Sequence, residues 1–386
     1  MLERARELKD EIVKLRRTIH RHPELGFHEV ETAALVAQTL ESLGIRVETG
    51  VADTGVVGFL GAEGPTVAIR ADMDALPIQE LNEVPYRSEV PGVMHACGHD
   101  AHVAMALGAA MILSERELAG QVRFLFQPAE EKGGAEGRGG ATRMVEDGAM
   151  QDVQAIIALH VWEETDTGYV NISPGPVAAA VDSFNGTILG KGCHGAHPDW
   201  GVDPIFLSGH VMSAIHGIVS RRIDPMQPAV ISVCAIHGGT AFNIIPEEVT
   251  LEGTIRSFDE GARRKLHAEL ARAFEVTRSL GGDFQLNIGR GHPTMINDQE
   301  VSQLIQRVAT DVLGEGRVLP FKPQMGGEDF GILAREAPGA MFMLGIRRGQ
   351  VLRAHTPHFD IDEDALPIGT GILAKTAIAM LDELVS

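Results

Sequence analysis

Hydrophobic and polar positions follow two different periods along the first half of the chain. Residues 1–43 carry charged positions around an apolar stripe with helical spacing, interrupted at Pro23 and ended by Gly44. Short apolar runs then alternate with helical stretches. The runs "TGVVGFL", "TVAIRADMD", "QVRFLFQ" and "VQAIIALHVW" predict strands, and "HVAMALGAAMILSER" predicts a buried helix. Continuously apolar strands that alternate with helices indicate a mostly parallel sheet covered on both faces.

The pattern changes near residue 184. The segments "SFNGTILGKG", "AVISVCAIHGG" and "EEVTLEGTIRSFD" alternate with a period of two, and two amphipathic helices separate them, "PIFLSGHVMSAIHGIVSRR" and "GARRKLHAELARAFEVTRSLGG". After Asn297 the earlier pattern returns and ends in the helix "LPIGTGILAKTAIAMLDELV". We therefore predict an α/β fold with a mixed, mostly parallel sheet, formed by residues 1–183 and 295–386. Residues 184–294 form an inserted α+β domain in this interpretation.

Length, charge and cysteine content narrow the class of protein. A chain of 386 residues is long enough for two hydrophobic cores. The formal net charge of -20 argues against nucleic acid or an anionic membrane as a partner, because both require a cationic surface. No apolar run is long enough to span a membrane, and the start does not resemble a targeting signal. The three scattered cysteines do not form a disulfide framework, so we expect a soluble cytoplasmic protein.

Polar residues cluster where the predicted strands end. Asp72 and Asp74 end one strand, "QPAEE" follows another, and His160 follows the apolar run "AIIAL". The segments "HACGHD" and "AHTPHFD" each precede a helix. In an open α/β sheet ligands bind beyond the carboxyl ends of the strands, so these segments are expected to meet in one crevice.

Cys97 and His99 are the first candidate metal ligands. These residues are two positions apart on a predicted loop, so their side chains are expected to point to the same side. A thiolate together with an imidazole suits zinc, manganese, cobalt or nickel. Each also has a structural interpretation, as a buried cysteine that packs like a small hydrophobe or a core histidine bonded to a carbonyl. A third alternative makes Cys97 a nucleophile with a histidine base.

The remaining candidates support a metal site. Adjacent carboxylates such as Glu130 and Glu131 are usually solvated surface groups, but in a crevice one binds metal while the other acts as general base. Alone, His160 and His355 also fit core or capping histidines. Together the side chains form a ligand set of mixed hardness, larger than a closed tetrahedral site requires, which suits two divalent cations (Mn, Zn, Co or Ni): Cys97, His99, Glu131, His160 and His355. Glu130 is then the candidate base.

The ordered motifs resemble the M20 metallopeptidase family, in particular its amidohydrolase branch. They run along nearly the whole chain: "RHPELGFHEVET", "RADMDALPI", "PGVMHACGHDAHVAMALGAA", "FQPAEE", "LHVW", "GKGCHGAHPDWGVDPI", "GGTAFNIIPEEVTLEGTIRSFD", "MGGEDF" and "HTPHFDIDEDALPIG". The resemblance implies a zinc-peptidase-like catalytic domain that hydrolyses N-acyl-amino acids, such as N-acetyl, benzoyl or indoleacetyl conjugates, to a carboxylate and a free amino acid. An aminopeptidase or dipeptidase of the same family, or an inactive binding member, is the alternative.

The resemblance also implies roles for single residues in the first domain. Cys97 corresponds to a metal ligand, the bridging one, where many branches of the family use aspartate. Glu130 corresponds to the catalytic base, and Asp74 to a carboxylate that orients a ligand. Asp100 and His102 are supporting candidates.

For the inserted segment 184–294 the resemblance implies a lid and dimerisation domain, and hence a homodimer or homotetramer. His194 corresponds to a histidine that stabilises the oxyanion, often in the partner subunit's site. Asn243 and Arg256 correspond to a pair that holds the substrate carboxylate, a task that suits a guanidinium fork. Gly327, in "GGEDF", corresponds to a loop lining the pocket. Relatives typically show "GKGGHAAHP", whereas this chain has Cys193 and Gly195 beside His194.

Overall fold

The computed structural model describes residues 1–131 and 138–385. It forms two compact units, here called the first unit (Met1–Val177, Ile296–Lys322 and Asp329–Ser386) and the inserted unit (Ala178–Met295 and Pro323–Glu328). The inserted unit starts before the expected boundary at residue 184, because one strand runs unbroken from Ala180 to Leu189. It also takes in Pro323–Glu328, which the sequence interpretation assigned to the first domain.

The helices and strands alternate along the chain. The α-helices are α1 Leu2–Glu7, α2 Lys9–Arg21, α3 Val30–Ser42, α4 His99–Ser114, α5 Gly140–Glu146, α6 Pro204–Arg222, α7 Glu260–Ser279, α8 Gln299–Leu313, α9 Phe330–Leu333 and α10 Leu366–Val385, with 3₁₀ turns at Pro198–Trp200 and Glu363–Ala365. The strands are β1 Arg46–Val51, β2 Gly55–Gly61, β3 Thr66–Asp72, β4 Gln121–Gln127, β5 Val153–Asp166, β6 Val170–Asn171, β7 Gly175–Ala178, β8 Ala180–Leu189, β9 Cys193–His194, β10 Ala229–Gly238, β11 Ile244–Ile245, β12 Glu248–Ser257, β13 Asp283–Arg290, β14 Met295–Asn297, β15 Val318–Leu319 and β16 Gly339–Arg347.

The first unit is built on an eight-stranded sheet with the order β1-β2-β4-β3-β5-β16-β6-β15. Its centre, β4-β3-β5-β16, is parallel, whereas β1, β2 and β6 join their neighbours toward the centre antiparallel. Every residue of β3 is buried, which requires packing on both faces of the sheet. The predicted mixed, mostly parallel sheet is therefore confirmed.

Helix α4 is deeply buried in the first unit. Its residues from His99 to Ala110 are all buried, so the run of small residues in this segment reflects close packing. Gly108 shows this directly, because a Cβ there would lie 2.9 Å from Ile12 Cδ1 and from Thr370 Cγ2. In the described part of the chain, no helix combines the length and the apolar character needed to cross a membrane.

The inserted unit contains an antiparallel sheet with the order β10-β12-β8-β13. One face packs against α6 and α7 through a core that includes Phe184, Ile188, Val211, Leu270 and Phe274. Ile255 belongs to the same core, and strand residues alternate between faces. Thr254 and Arg256, the neighbours of Ile255 on β12, therefore lie on the face opposite the helices.

Candidate metal centre

The candidate ligands gather at one edge of the parallel sheet. Strand β3 ends at Asp72, next to the end of β4 at Gln127, and Glu131 follows β4 after a short loop. His160 lies in β5 just beyond Ala158, the last residue of that strand that pairs with β3. The carboxyl ends of neighbouring parallel strands thus deliver residues from separate parts of the sequence to one place.

The structure brings the five predicted ligands together within the first unit. Cys97 Sγ lies 3.5 Å from His160 Nε2, and His355 Nε2 lies 3.1 Å from Glu131 Oε1. Potential ligand atoms lie within 4.8 Å of one another in three overlapping groups: Cys97, His99 and His160; Cys97, Glu131 and His355; and His99, Glu130 and Glu131. Cys97, His99 and Glu131 each belong to two of these groups, so the groups form one continuous cluster.

In two of the histidines Nδ1 makes a hydrogen bond, and Nε2 is the ring nitrogen that faces the cluster. His99 Nδ1 lies 2.9 Å from the backbone oxygen of Asp74 and 3.1 Å from its Oδ1. His160 Nδ1 lies 2.7 Å from the backbone oxygen of Val161. An acceptor at Nδ1 fixes the tautomer with the proton on Nδ1, so the lone pair of Nε2 is free to bind a metal.

A buried atom without a hydrogen-bond partner points to a cation at this place. Among the described residues, the buried His99 Nε2 has no hydrogen-bond partner, and the buried Glu131 Oε1 faces the ring nitrogen of His355 at 3.1 Å. Leaving a buried nitrogen of this kind unsatisfied costs about 1–3 kcal/mol. Because His99 belongs to the clustered groups, a divalent cation bound there would satisfy this nitrogen. The residues present therefore fit a metal centre.

Asp74 makes hydrogen bonds to candidate ligands from two segments. Its Oδ1 faces His99 Nδ1, and its Oδ2 accepts the backbone N–H of Glu131 at 3.0 Å. The side chain is 2% exposed, so little solvent competes for these bonds. Asp74 therefore links the His99 ring to the backbone of Glu131, and its orienting role stays a prediction.

Replacing Asp74 with Ala is expected to weaken metal binding about 10- to 100-fold, because partners behind metal ligands typically contribute that much. The variant loses both the bond to the His99 ring and the bond to the Glu131 backbone. Metal affinity is measured by competition with a chromogenic chelator. The control is Asp10→Ala on the exposed face of α2. Equal affinity in the two variants would contradict the orienting role.

The charges of the site depend on burial and on neighbouring groups. Burial raises the pKa of the Cys97 thiol well above its usual value, and the charge of Glu131 adds to this effect. A cation held by the Cys97 sulfur would therefore have to displace the thiol proton. The hydrogen bond to Glu131 raises the pKa of His355. Burial opposes ionisation of Glu131, but the pKa of this carboxyl is lowered on balance by His355 and His99.

His102 and Asp100 lie in structural networks instead. His102 Nδ1 lies 2.5 Å from Asp72 Oδ1, and its Nε2 accepts the backbone N–H of Val161 at 3.0 Å. Both ring nitrogens are thus used, and burial lowers the pKa of this histidine to about 4. Asp100 Oδ2 receives hydrogen bonds from Arg16 and His20. His102 also lies in a group with Asp72 and His99 whose potential ligand atoms are within 4.8 Å of one another, but both of its ring nitrogens already have partners.

A buried network behind the site was not found from the sequence. Arg70, 2% exposed, donates to Asp72 Oδ2, Asp329 Oδ1 and Gln127 Oε1 at 2.8–2.9 Å. The backbone N–H of Asp329 in turn donates to Glu130 Oε1 at 3.4 Å. The available signal was a charged residue inside the apolar strand "TVAIRAD", which demands buried partners.

The positive φ angles of residues around the site could not be predicted from the sequence. Gly98, which precedes α4, has φ 92°, and a Cβ there would lie 2.4 Å from Val161 Cγ2. His355 and Ala129 have positive φ values of 59° and 47° although they are not glycines. Such conformations cost energy and concentrate at functional sites.

The remaining predicted residues lie in the inserted unit, where they form two pairs. The N–H of Gly195, next to His194, donates to the backbone oxygen of Asn243 at 2.8 Å, and both His194 and Asn243 are exposed. Arg256 Nε donates to Thr254 Oγ1 at 3.0 Å. Its Nη1 would lie 3.5 Å from a Cβ added to Gly327.

Cys193, the departure beside His194, packs closely in the inserted unit. A Cβ added to Gly201 would lie only 2.7 Å from Cys193 Sγ. This contact fits the packing interpretation of that thiol.

Comparison with known proteins gives consistent matches. Residues 68–379 match the model of peptidase family M20/M25/M40. The chain is 41% identical to thermostable carboxypeptidase 1 of Saccharolobus solfataricus, over 97% of this chain and 96% of that protein. It is 39% identical to IAA-amino acid hydrolase ILR1-like 4 of Arabidopsis thaliana, over 99% and 88%. The crystal structure of the Bacillus subtilis YXEP protein, a dinuclear metal binding peptidase from the M20 family, superposes with a TM-score of 0.85 at 33% identity, covering 98% and 99%.

Proposed function

The chain belongs to peptidase family M20/M25/M40, and from this premise we propose that it is a metal-dependent amidohydrolase that cleaves N-acyl-amino acids. The observation that carries the proposal is the cluster of potential ligand atoms beside Glu130, among them the buried His99 Nε2 that has no hydrogen-bond partner. The similarity to a hydrolase of IAA-amino acids and to a dinuclear metal binding peptidase supports it.

In this proposal Cys97, His99, Glu131, His160 and His355 hold two divalent cations. When bound, such cations acidify a water molecule and polarise a carbonyl group. Glu130 takes the proton from the attacking water and returns it to the amine nitrogen that leaves. The N–H of Asp329 bonds one carboxylate oxygen of Glu130, which restricts the directions that this side chain can adopt.

The inserted unit supplies recognition groups in the proposed reaction. Arg256 is half-buried and held by Thr254, which fixes its donor fork for a carboxylate. Asn243 adds a neutral donor, and His194 stabilises the oxyanion. These roles fit a substrate that carries a free carboxylate next to the amide.

Replacing Arg256 with Ala is expected to raise KM for an N-acyl-amino acid about 10-fold or more with a smaller change in kcat, because a charged hydrogen bond contributes about 1.5–3 kcal/mol. The control is Arg264→Ala, an exposed arginine of α7 in a loose ion pair with Glu260. KM and kcat of both variants are measured by steady-state kinetics. An equal KM for Arg256→Ala and Arg264→Ala would remove Arg256 from the recognition of substrate.

A substrate panel tests the proposed function. Hippurate, N-acetyl-amino acids, N-acetyldiaminopimelate and indoleacetyl conjugates are assayed with Mn, Zn, Co and Ni after metal removal. The expected result is turnover of at least one class that disappears with chelator and returns with metal. Activity that survives chelator and is lost with iodoacetamide would instead identify Cys97 as a nucleophile.

A carboxypeptidase activity is the second candidate. It is favoured by the similarity to thermostable carboxypeptidase 1, and a peptide with a free C-terminus presents the same amide next to a carboxylate as an N-acyl-amino acid does. Benzyloxycarbonyl-dipeptides in the same panel compare the two substrates. If kcat/KM is at least 10-fold higher for the peptide than for the best N-acyl-amino acid, carboxypeptidase becomes the proposed activity.

We also propose that the enzyme is cytoplasmic and forms a homodimer or a homotetramer. The inserted unit exposes large apolar side chains, among them Trp200, Phe206, Met226 and Phe242, and exposed apolar groups of this kind support an interface between copies. The three free cysteines suit a reducing compartment. Sedimentation equilibrium measures the molecular weight, and a monomer at micromolar concentration would contradict either assembly.

A further inference from the structure

The residue before the proposed base has an unusual backbone. Ala129 lies directly before Glu130 and has φ 47°, in the left-handed region that residues with a Cβ rarely adopt. Such a conformation persists only when surrounding contacts impose it. The contacts of Ala129 therefore decide where the Glu130 side chain points.

Both backbone groups of Ala129 are bonded. Its N–H donates to Glu29 Oε1 at 2.9 Å, and its carbonyl accepts the N–H of Gly140 at 3.1 Å. Residue 140 has to be glycine for this contact, because a Cβ there would lie 1.6 Å from the carbonyl oxygen of Pro128. The positive φ of Ala129 is thus fixed from two sides.

Glu29 is a buried carboxylate whose contacts explain its burial. It is 0% exposed, and its Oε2 accepts the hydroxyl of Thr54 at 2.6 Å. Burial raises the pKa of Glu29 to about 7. Burying such a group is costly unless it makes hydrogen bonds, and its bonds go to Thr54 and to the backbone of Ala129.

The neighbouring segment packs directly on Ala129. A Cβ added to Gly26 would lie 2.9 Å from Ala129 Cβ, so the chain leading to Glu29 touches this residue closely. On the other side of Glu130, the N–H of Glu131 is held by Asp74. The Pro128–Ala129 and Glu130–Glu131 peptide groups, one on each side of Glu130, therefore both donate their N–H to buried carboxylates.

We propose that Glu29 is a positioning residue for catalysis, which holds the left-handed backbone of Ala129 and thereby orients the Glu130 carboxylate. The inference rests on the proposed function, in which Glu130 is the base. Glu29 itself touches neither substrate nor metal in this scheme. Its contribution is expected in kcat, since a displaced catalytic group lowers the rate without changing recognition of the substrate.

The experiment compares Glu29→Ala, Glu29→Gln and Glu24→Ala. Glu29→Ala is expected to lower kcat about 10- to 100-fold, with KM and metal content unchanged. Glu29→Gln keeps an oxygen acceptor for the Ala129 N–H and should retain kcat within about 3-fold. Glu24 lies in the same segment but accepts the N–H groups of Val30, Glu31 and Thr32. Glu24→Ala should therefore lower the melting temperature and leave kcat unchanged.

A rescue variant separates orientation from stability. Glycine adopts a left-handed φ without strain, so Ala129→Gly in the Glu29→Ala background should recover part of the lost kcat. A drop in kcat for Glu24→Ala as large as that for Glu29→Ala, or lost metal in Glu29→Ala, would overturn the inference. A kcat equal to that of the wild type in Glu29→Ala would also overturn the inference. If Glu130→Gln is inactive while Glu29→Ala is fully active, only this inference fails, whereas an active Glu130→Gln removes the proposed base itself.

Discussion

Replacing Glu130 with Gln is expected to lower kcat by about 10²- to 10⁴-fold, the usual contribution of a general base, while both metal ions stay bound. Glutamine keeps the shape of the side chain and an oxygen that can accept the N–H of Asp329. It cannot take a proton from water. The kcat is measured on the best substrate of the panel, and metal content by inductively coupled plasma mass spectrometry.

The adjacent carboxylate supplies the matched control. Glu131 lies in a group with Cys97 and His355, so Glu131→Gln should reduce metal content as well as turnover. Glu130→Gln and Glu131→Gln therefore separate a base from a ligand at neighbouring positions. Near-normal turnover in Glu130→Gln would show that another group accepts the proton. Metal loss equal to that of Glu131→Gln would make Glu130 a ligand.

The periodic elements could be predicted closely because burial imposes their pattern. The strand "QVRFLFQ" coincides with β4, Gln121–Gln127, and the final helix coincides with α10, Leu366–Val385. The two-residue strands β6, β9, β11 and β15 could not be predicted. A strand of two residues shows no period, since only its partner strand defines it.

The candidate ligands could be found because the fold places them at predictable positions. Polar residues at the ends of parallel strands meet at one edge, so the segments that carry Cys97, Glu131 and His160 are expected to converge there. Cys97 Sγ indeed lies 3.5 Å from His160 Nε2. The supporting residues could not be found this way. Glu29 bonds Ala129, a hundred positions later in the chain, and Arg70 bonds Asp329. Local periodicity carries no information about which distant partner a buried polar residue will meet.

Arg70 is the distant partner of a buried carboxylate for which the largest effect on stability is expected. Its guanidinium lies between Asp72 and Asp329, which are both 0% exposed. Burial favours the neutral form of Asp72, but the charge of Arg70, together with His99 and His102, outweighs this and lowers the pKa of that carboxyl well below its usual value. Without the guanidinium, two buried carboxylates would lack their main counter-ion.

Replacing Arg70 with Met is therefore expected to destabilise the protein by about 3–5 kcal/mol, the typical cost of removing one partner from a buried ion pair. The free energy of unfolding is measured by urea denaturation at one fixed metal concentration. The control is Arg123→Met on the adjacent strand β4, because Arg123 donates to the backbone oxygens of Ala149 and Gln151 rather than to a carboxylate. An equal loss in both variants would mean that packing, not charge, explains the effect of Arg70.

The pH dependence gives the sharper distinction between charge and packing. In the wild type the depressed pKa of Asp72 contributes stability that is present above the pKa of the unfolded chain and is lost as the pH falls. In Arg70→Met the pKa of Asp72 rises because a neighbouring positive charge is removed, so this contribution to stability is smaller in the variant. The difference in unfolding free energy between the two proteins should therefore be larger at pH 8 than at pH 5. A difference that stays constant over this range would show that the guanidinium acts through its volume, and the charge pairing of Asp72 and Asp329 would then have to come from other groups.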